Sequence, residues 1–202
     1  MESQKTFSQG ALIHKLESIL DPLDFAKMFP ETQPVEVELG AGDGSFIVQY
    51  ANLQRGTNFL AVERLLGRLR KIDKRGQRAG LTNLVGVRIE AAYLLQYLLA
   101  AKSVAALHVY FPDPWPKRKH RKNRLVNEEF TELVRKVLVD RGIIHLRTDD
   151  TDYFSQMTRV FDGNSAFEKI NTPEELKAVK TDFERYFNAQ GIPTNWASYK
   201  LR

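Results

Sequence analysis

Cysteine is absent from all 202 residues. That excludes a disulfide framework, a zinc–thiolate site, an iron–sulfur cluster and a cysteine nucleophile, and it suits a reducing compartment. Methionine and tryptophan are scarce, at three and two. No run approaches the ~18 uninterrupted apolar residues that read as a membrane-spanning helix. The first twenty residues carry Glu2, Lys5, His14, Lys15 and Glu17, so they lack the apolar centre of a secretion signal. What is present is ordinary for a globular protein: 43% hydrophobic and 10% aromatic residues exclude a wholly disordered chain. At about 100–200 residues per domain, one domain is expected. It is read as residues 31–202, cytoplasmic, behind an arm of residues 1–30 with a short helix within 12–20.

The net charge of +5 is unevenly spread. Arg64, Arg68, Arg70, Lys71, Lys74, Arg75 and Arg78 fall within fifteen residues that hold one acid, Asp73. Lys117, Arg118, Lys119, Arg121, Lys122 and Arg124 fall within eight that hold none. The rest of the chain has seven more acids than bases. Two basic segments on an acidic body suit a polyanion, because neutralised phosphates release counterions and the field steers encounter. A solvated helix face and a solvated loop remain the plain alternatives at this point.

From Pro34 onward, strand-like apolar runs alternate with helix-like segments. Strands are expected at 35–39, 58–63, 84–89, 105–111, 142–148, 167–170 and 196–201. Helices are expected at 45–51, 66–79, 91–101, 127–139 and 150–162, with another opened by Pro173. Regular alternation implies parallel strands joined by right-handed crossovers, a doubly wound α/β sheet with helices on both faces. Ligands of such sheets bind outside the carboxyl ends of the strands. Here those ends carry Glu38, Glu63, Glu90, the run Phe111–Trp115, and Thr148 with Asp149.

Gly40, Gly42 and Gly44 follow the first of these strands. A dinucleotide fingerprint needs glycine at position 45, which is Ser45, and Glu38 and Asp43 crowd the place where a pyrophosphate would sit. S-adenosylmethionine has other needs: it carries a sulfonium and an ammonium instead of phosphate, and its ribose offers two hydroxyls to a carboxylate. Glu38 before the glycines and Glu63 at the next strand end supply those groups.

Phe111-Pro112-Asp113-Pro114-Trp115-Pro116 is the most specific stretch. Three prolines fix φ and remove donors, so the segment is stiff. It presents a carboxylate beside an aromatic plane, a pairing suited to a nucleobase read along its edge and by stacking. The second basic segment follows at once, which sets phosphate-binding side chains beside this strand end.

With these residues in view, the sequence resembles the tRNA (guanine-N7)-methyltransferases, class I enzymes that use S-adenosylmethionine. The resemblance is carried by Phe111–Leu125, by Glu38–Gly44, by Thr148-Asp149, and by Thr181-Asp182-Phe183-Glu184 with Arg185 and Gly191. It implies a mostly parallel seven-stranded Rossmann-like sheet and methylation of a guanine in the tRNA variable loop. It implies that Glu38, Gly40, Gly42, Gly44, Glu63, Glu90 and Asp113 hold the donor, with Asp113 catalytic. Lys117, Asp149, Thr181, Asp182, Phe183 and Glu184 become contacts to the target guanine. Lys119, His120, Arg121, Lys122, Asn123 and Arg124 become the RNA-binding stretch. tRNA is the implied partner, with no membrane, no metal and no obligate second protein, the chain acting as a monomer or homodimer. Two features depart from the family: Glu90 stands where a shorter acid or an amide is usual, and the helix after Glu63 is unusually basic.

His108 and His145 lie within apolar strands and are expected to be satisfied core residues. A methyltransferase acting on an exocyclic amine and a non-catalytic RNA-binding subunit of the same fold remain the competing readings.

Overall fold

The computed structural model describes residues 11–202. Glu2 and Lys5 lie outside that range, as does the first third of the arm. In chain order the strands are β1 (Ile13–His14), β2 (Val35–Leu39), β3 (Asn58–Val62), β4 (Leu84–Val87), β5 (Val104–Tyr110), β6 (Leu138–Thr148), β7 (Phe167–Ile170) and β8 (Asn195–Leu201). The α-helices are α1 (Phe25–Met28), α2 (Ile47–Leu53), α3 (Leu66–Arg78), α4 (Ala91–Tyr93), α5 (Glu128–Val137), α6 (Thr151–Asp162), α7 (Glu174–Ala178) and α8 (Asp182–Ala189). A π-helical turn at Leu94–Leu98 extends α4, and a 3₁₀ segment spans Arg118–Asn123.

The strands form one sheet in the order β1-β4-β3-β2-β5-β6-β8-β7. Pairing is parallel from β1 through β6, and β8 runs antiparallel between β6 and β7. The central strands are buried on both faces, as continuous runs such as Val104–Tyr110 require. On one face Phe46, Ile47, Phe59, Leu69, Ile72, Leu84, Leu176 and Val179 pack beneath α2, α3 and α7. On the other, Val37, Leu60, Leu94, Leu107, Phe130, Val134, Met157 and Phe161 pack beneath α4, α5 and α6.

Helix ends follow local chemistry. Asn127 caps α5 by accepting from Phe130 N at 2.9 Å, and Asp150 caps α6 by accepting from Tyr153 N at 2.6 Å. Glu128 and Glu129 open α5 while Arg135 and Lys136 close it, each sign set against the matching end of the helix dipole.

Two expectations need correction. No helix forms within 12–20; Ile13–His14 instead pairs with Gly86–Val87 as an eighth, edge strand. The reason lies partly in Asp73, the one acid of the first basic segment, whose carboxylate accepts from Leu12 N at 2.7 Å and so draws the chain out extended. The second correction is an added helix, α8, whose N-cap Thr181 accepts from Glu184 N at 2.8 Å.

Candidate active site

The parallel register sets three strand ends side by side. Glu38 on β2 aligns with His108 on β5, and Tyr110 on β5 aligns with Arg147 on β6. The segments just beyond them, Gly40–Gly44, Phe111–Pro116 and Thr148–Asp149, therefore border one crevice.

The glycine turn is open by construction. Gly40, Gly42 and Gly44 take φ values of +80°, +57° and +80°, which side chains on L-residues resist. A Cβ at Gly40 or Gly42 would meet nothing within 4 Å, whereas at Gly44 it would press on Ile72 at 2.9 Å. The first two glycines thus leave space for a ligand, and the third lets α3 pack against the turn. Glu63, at the end of β3, holds the turn by accepting from Gly42 N at 3.1 Å and Leu65 N at 2.8 Å.

Glu38 is only 3% exposed, and its Oε2 is buried without a hydrogen-bond partner. Burial pushes its carboxyl up to about 8, with Asp43 and Glu63 adding to the rise and Arg147 opposing it. A positive charge placed against this buried carboxyl would favour its charged form and offset the cost of burial. That orphaned oxygen, with the open glycine turn, fits the sulfonium and ammonium of S-adenosylmethionine.

The same shift has a consequence for stability. Folded Glu38 keeps its proton up to about pH 8, while unfolded it keeps it only to about 4.5. The fold therefore binds the extra proton across that window and loses stability as pH rises through it. Glu38→Gln removes this dependence. In melting curves without ligand, the variant is expected to gain on the wild type between pH 6 and pH 9. An equal gap at both values would contradict the assignment.

Just beyond the end of β5, Phe111 and Trp115 take φ of 50° and 45°. Strain of this kind in non-glycine residues persists only where surrounding structure enforces it. Asp113 is exposed between them, and the Trp115 ring, 37% exposed, meets His120 edge-on at 5.9 Å. Phe111 packs on Phe183 at 5.2 Å, which brings the start of α8 to this strand end. Ser45 Oγ accepts from Asp182 N at 3.0 Å, tying α8 to the glycine turn as well. Arg75 completes the junction, with Nη2 3.1 Å from Asp43 and 3.3 Å from Asp182.

Not every sequence-predicted residue faces this crevice. Glu184 is fully buried and ion-paired with Arg147 at 3.3 Å, so its reach toward a guanine is limited to Oε1, which lacks a partner. The residue also lines a cavity of about 450 Å³ with Lys180, Asn188 and Trp196. Thr181 is buried and caps α8, while Asp182 and Phe183 are exposed. Glu90 is exposed and spends both oxygens on Ala92 N and Tyr93 N, capping α4. Arg124 departs most from its expected role. It is 2% exposed, and its donors go to Pro114 O at 2.7 Å, Gln156 at 2.9 Å and Asp152 at 2.6 Å. It anchors the basic turn to α6 and has no face left for a phosphate.

Lys117, Arg118, Lys119, Lys122 and Asn123 are exposed, Asp149 and His120 half-buried, and Arg121 leans on Asp152 at 3.1 Å. His108 has both ring nitrogens engaged, at 2.7 Å from Glu36 and 2.7 Å from Tyr110. His145 contacts Ser198 at 2.8 Å, and burial holds its pKa well below the ordinary range. Both are core residues.

Arg147 was not singled out by sequence. Its guanidinium is wholly buried, donates to Val179 O at 2.9 Å and Leu176 O at 2.6 Å, and lies over Tyr110 at 3.9 Å and Trp196 at 4.2 Å. One cation thus ties β6 to the α7–α8 segment, and its charge opposes the upward shift at Glu38. The cavity of about 500 Å³ between β1, α1 and the start of β4 lies at the opposite end of the strands and holds none of these residues. Among the described residues, no group of three or more His, Asp or Glu is arranged to hold a metal ion, and no helix is long and apolar enough to cross a membrane.

Sheet order, antiparallel β8 and the acidic glycine turn together define a class I, Rossmann-like methyltransferase. Solved structures agree on the fold. The 16S rRNA methyltransferase KamB aligns at TM-score 0.62 over 88% of this chain and 92% of its own, at 14% identity. TrmN from Thermus thermophilus aligns at 0.61 over 85% and 45%, also at 14% identity. A family model described as "Putative methyltransferase" matches residues 32–194. The tRNA (guanine-N(7)-)-methyltransferase of Syntrophotalea carbinolica is 36% identical over 179 residues, covering 87% of this chain and 77% of the relative. That of Chlamydia abortus is 34% identical, covering 82% and 75%. The chain belongs to the tRNA (guanine-N7)-methyltransferase family.

Proposed function

We propose that the protein transfers a methyl group from S-adenosylmethionine to N7 of a guanine in the variable loop of tRNA, in the cytoplasm. The observation that carries this reading is the stiff Phe111–Pro116 strand end, which presents Asp113 and Trp115 between the open glycine turn and an exposed basic turn.

When bound, S-adenosylmethionine supplies a methyl group activated on a cationic sulfonium. The chain's part is to hold and align. Glu38 receives positive charge, Gly40, Gly42 and Gly44 let the backbone come close, and Glu63 offers its carboxylate to ribose hydroxyls. Glu90 stands at the next strand end for the adenine. Guanine N7 has a lone pair and no proton to lose, so no general base is required. Alignment does most of the work and is worth ~7–11 kcal/mol in well-oriented systems.

In this reading Asp113 accepts from the N1–H and exocyclic amine of guanine and offsets the positive charge that grows on the purine. Asp149, Thr181, Asp182 and Phe183 flank the base, and Glu184, buried on Arg147, holds the start of α8 behind them. Lys117 takes an adjacent phosphate. Exposing a base held in RNA tertiary structure costs a few kcal/mol, which backbone contacts offset. Those contacts fall to Lys119, His120, Arg121, Lys122 and Asn123.

Labelled S-adenosylmethionine with unmodified tRNA transcripts tests the reading. Label is expected in tRNA and absent from equivalent DNA and from protein; no uptake by tRNA would overturn it. Neutralising Lys119, Arg121 and Lys122 together removes about three phosphate contacts, so the slope of log affinity against log salt is expected to fall by roughly 2–3. An unchanged slope would make the turn a solvated run.

A further inference from the structure

We infer that the outward face of α3 is a second RNA-docking surface, engaged by the same tRNA molecule at a site separate from the Arg118–Asn123 turn. The inference rests on the proposed tRNA substrate and extends it to a surface that reading does not use.

Leu69, Ile72 and Gly76 define the buried face of α3. Lys74 and Arg78 lie on the opposite face, with Arg70 and Lys71 on either side and Arg68 nearer the flank in the first turn, and all five are exposed. None of the five forms an ion pair with an acid among the described residues. The one acid of the helix, Asp73, is turned away, accepting from Leu12 N and from Gln77 Nε2 at 2.7 Å each. Lys71 and Lys74 are three apart and Arg70 and Lys74 four apart, so these like charges repel along the helix. Helix stability alone therefore does not account for the pattern, and a polyanionic partner does.

Position supports the same conclusion. The helix begins three residues after Glu63, so its first turn sits at the mouth of the crevice. Arg75, the one inward-leaning cation, is already committed to Asp43 and Asp182. The exposed cations thus stand on a helix fastened to both the glycine turn and α8. The Arg118–Asn123 turn leaves β5 and is anchored on α6, across the sheet. Two strand spacings and a helix layer on each side separate the surfaces by roughly 20–30 Å. A folded RNA spans that distance. The outward face of α3 also lacks the aromatic and apolar rim by which a helix lies in a lipid interface.

The test is the variant Arg68→Gln/Lys71→Gln/Lys74→Gln, chosen because glutamine keeps helix propensity at exposed positions. KM for a full tRNA transcript is expected to rise about tenfold, and the salt slope to fall by roughly 2–3. A short stem-loop carrying only the target region is expected to show no such change. Combined with the Lys119/Arg121/Lys122 variant, the losses in log affinity are expected to add, as for independent sites. The charge-reversed pair Arg68→Glu/Lys71→Glu serves as a second variant and is expected to lose more. Wild-type levels of KM and salt slope in both variants would overturn the inference. So would loss of binding to anionic phospholipid vesicles with tRNA binding intact. Absence of methylation by the wild type would instead mark failure of the proposed function itself.

Discussion

Asp113→Asn is expected to lower turnover on tRNA about 10²–10³-fold, the loss typical when a preorganised group aimed at developing charge is removed. Asparagine keeps the size and the strained backbone of Phe111–Trp115, so the change isolates the charge. The carboxylate is exposed in the free protein and makes no hydrogen bond that folding depends on, so stability is expected to change little. On the proposed reading, in which the glycine turn, Glu38 and Glu63 hold the donor, donor affinity is expected to move far less than turnover. Single-turnover rates measured beside calorimetric donor binding separate the two. Equal losses in both would place Asp113 with the donor alone, and an unchanged rate would remove it from the chemistry.

Arg147→Leu carries the largest expected cost to the fold. Removing one partner of a buried ion pair costs about 3–5 kcal/mol, because the other charge stays buried. Here Glu184 is that charge, 0% exposed, and the carbonyls of Leu176 and Val179 lose their donor as well. In a chain of this length that loss lowers the melting temperature by about 10 °C. Arg147→Leu/Glu184→Leu is expected to recover a large part, since the orphaned carboxylate goes with its partner. Failure of the double variant to recover would show that the carbonyl contacts, not the ion pair, hold the α7–α8 segment.

The sheet was legible because its strands and helices keep their periods. Val35–Leu39, Asn58–Val62 and Val104–Tyr110 are short apolar runs bounded by turn residues, and the helices between them carry one apolar face. The two-residue β1 is too short for any period, and Asp73, which holds the preceding Leu12 N, is 61 residues away from it in sequence. The helix α8 carried a signal, since Thr181 and Glu184 have capping-box spacing. Its apolar residues gave no inward stripe: Phe183 and Tyr186 are exposed, and Glu184 is the residue that points in.

Charge runs hide which member is buried. Arg124 looks like its neighbours in sequence, yet its guanidinium anchors the turn while Lys119 and Lys122 remain exposed. Arg147 is hidden for the converse reason. It is the last but one residue of an apolar strand, where a cation reads as solvent-facing, and only tertiary packing brings Glu184 to it. The placement of the glycines, Glu38, Glu63 and Asp113 at one rim of the sheet was legible because each sits at or just beyond a strand terminus, and topology sets those termini side by side.

The central claim is the atom that receives the methyl group. Unmodified tRNA transcripts methylated by the protein, then reduced with borohydride and treated with aniline, break only where 7-methylguanine stood. The account predicts a single break in the variable loop. Label incorporated into the same tRNA with no break there would contradict it.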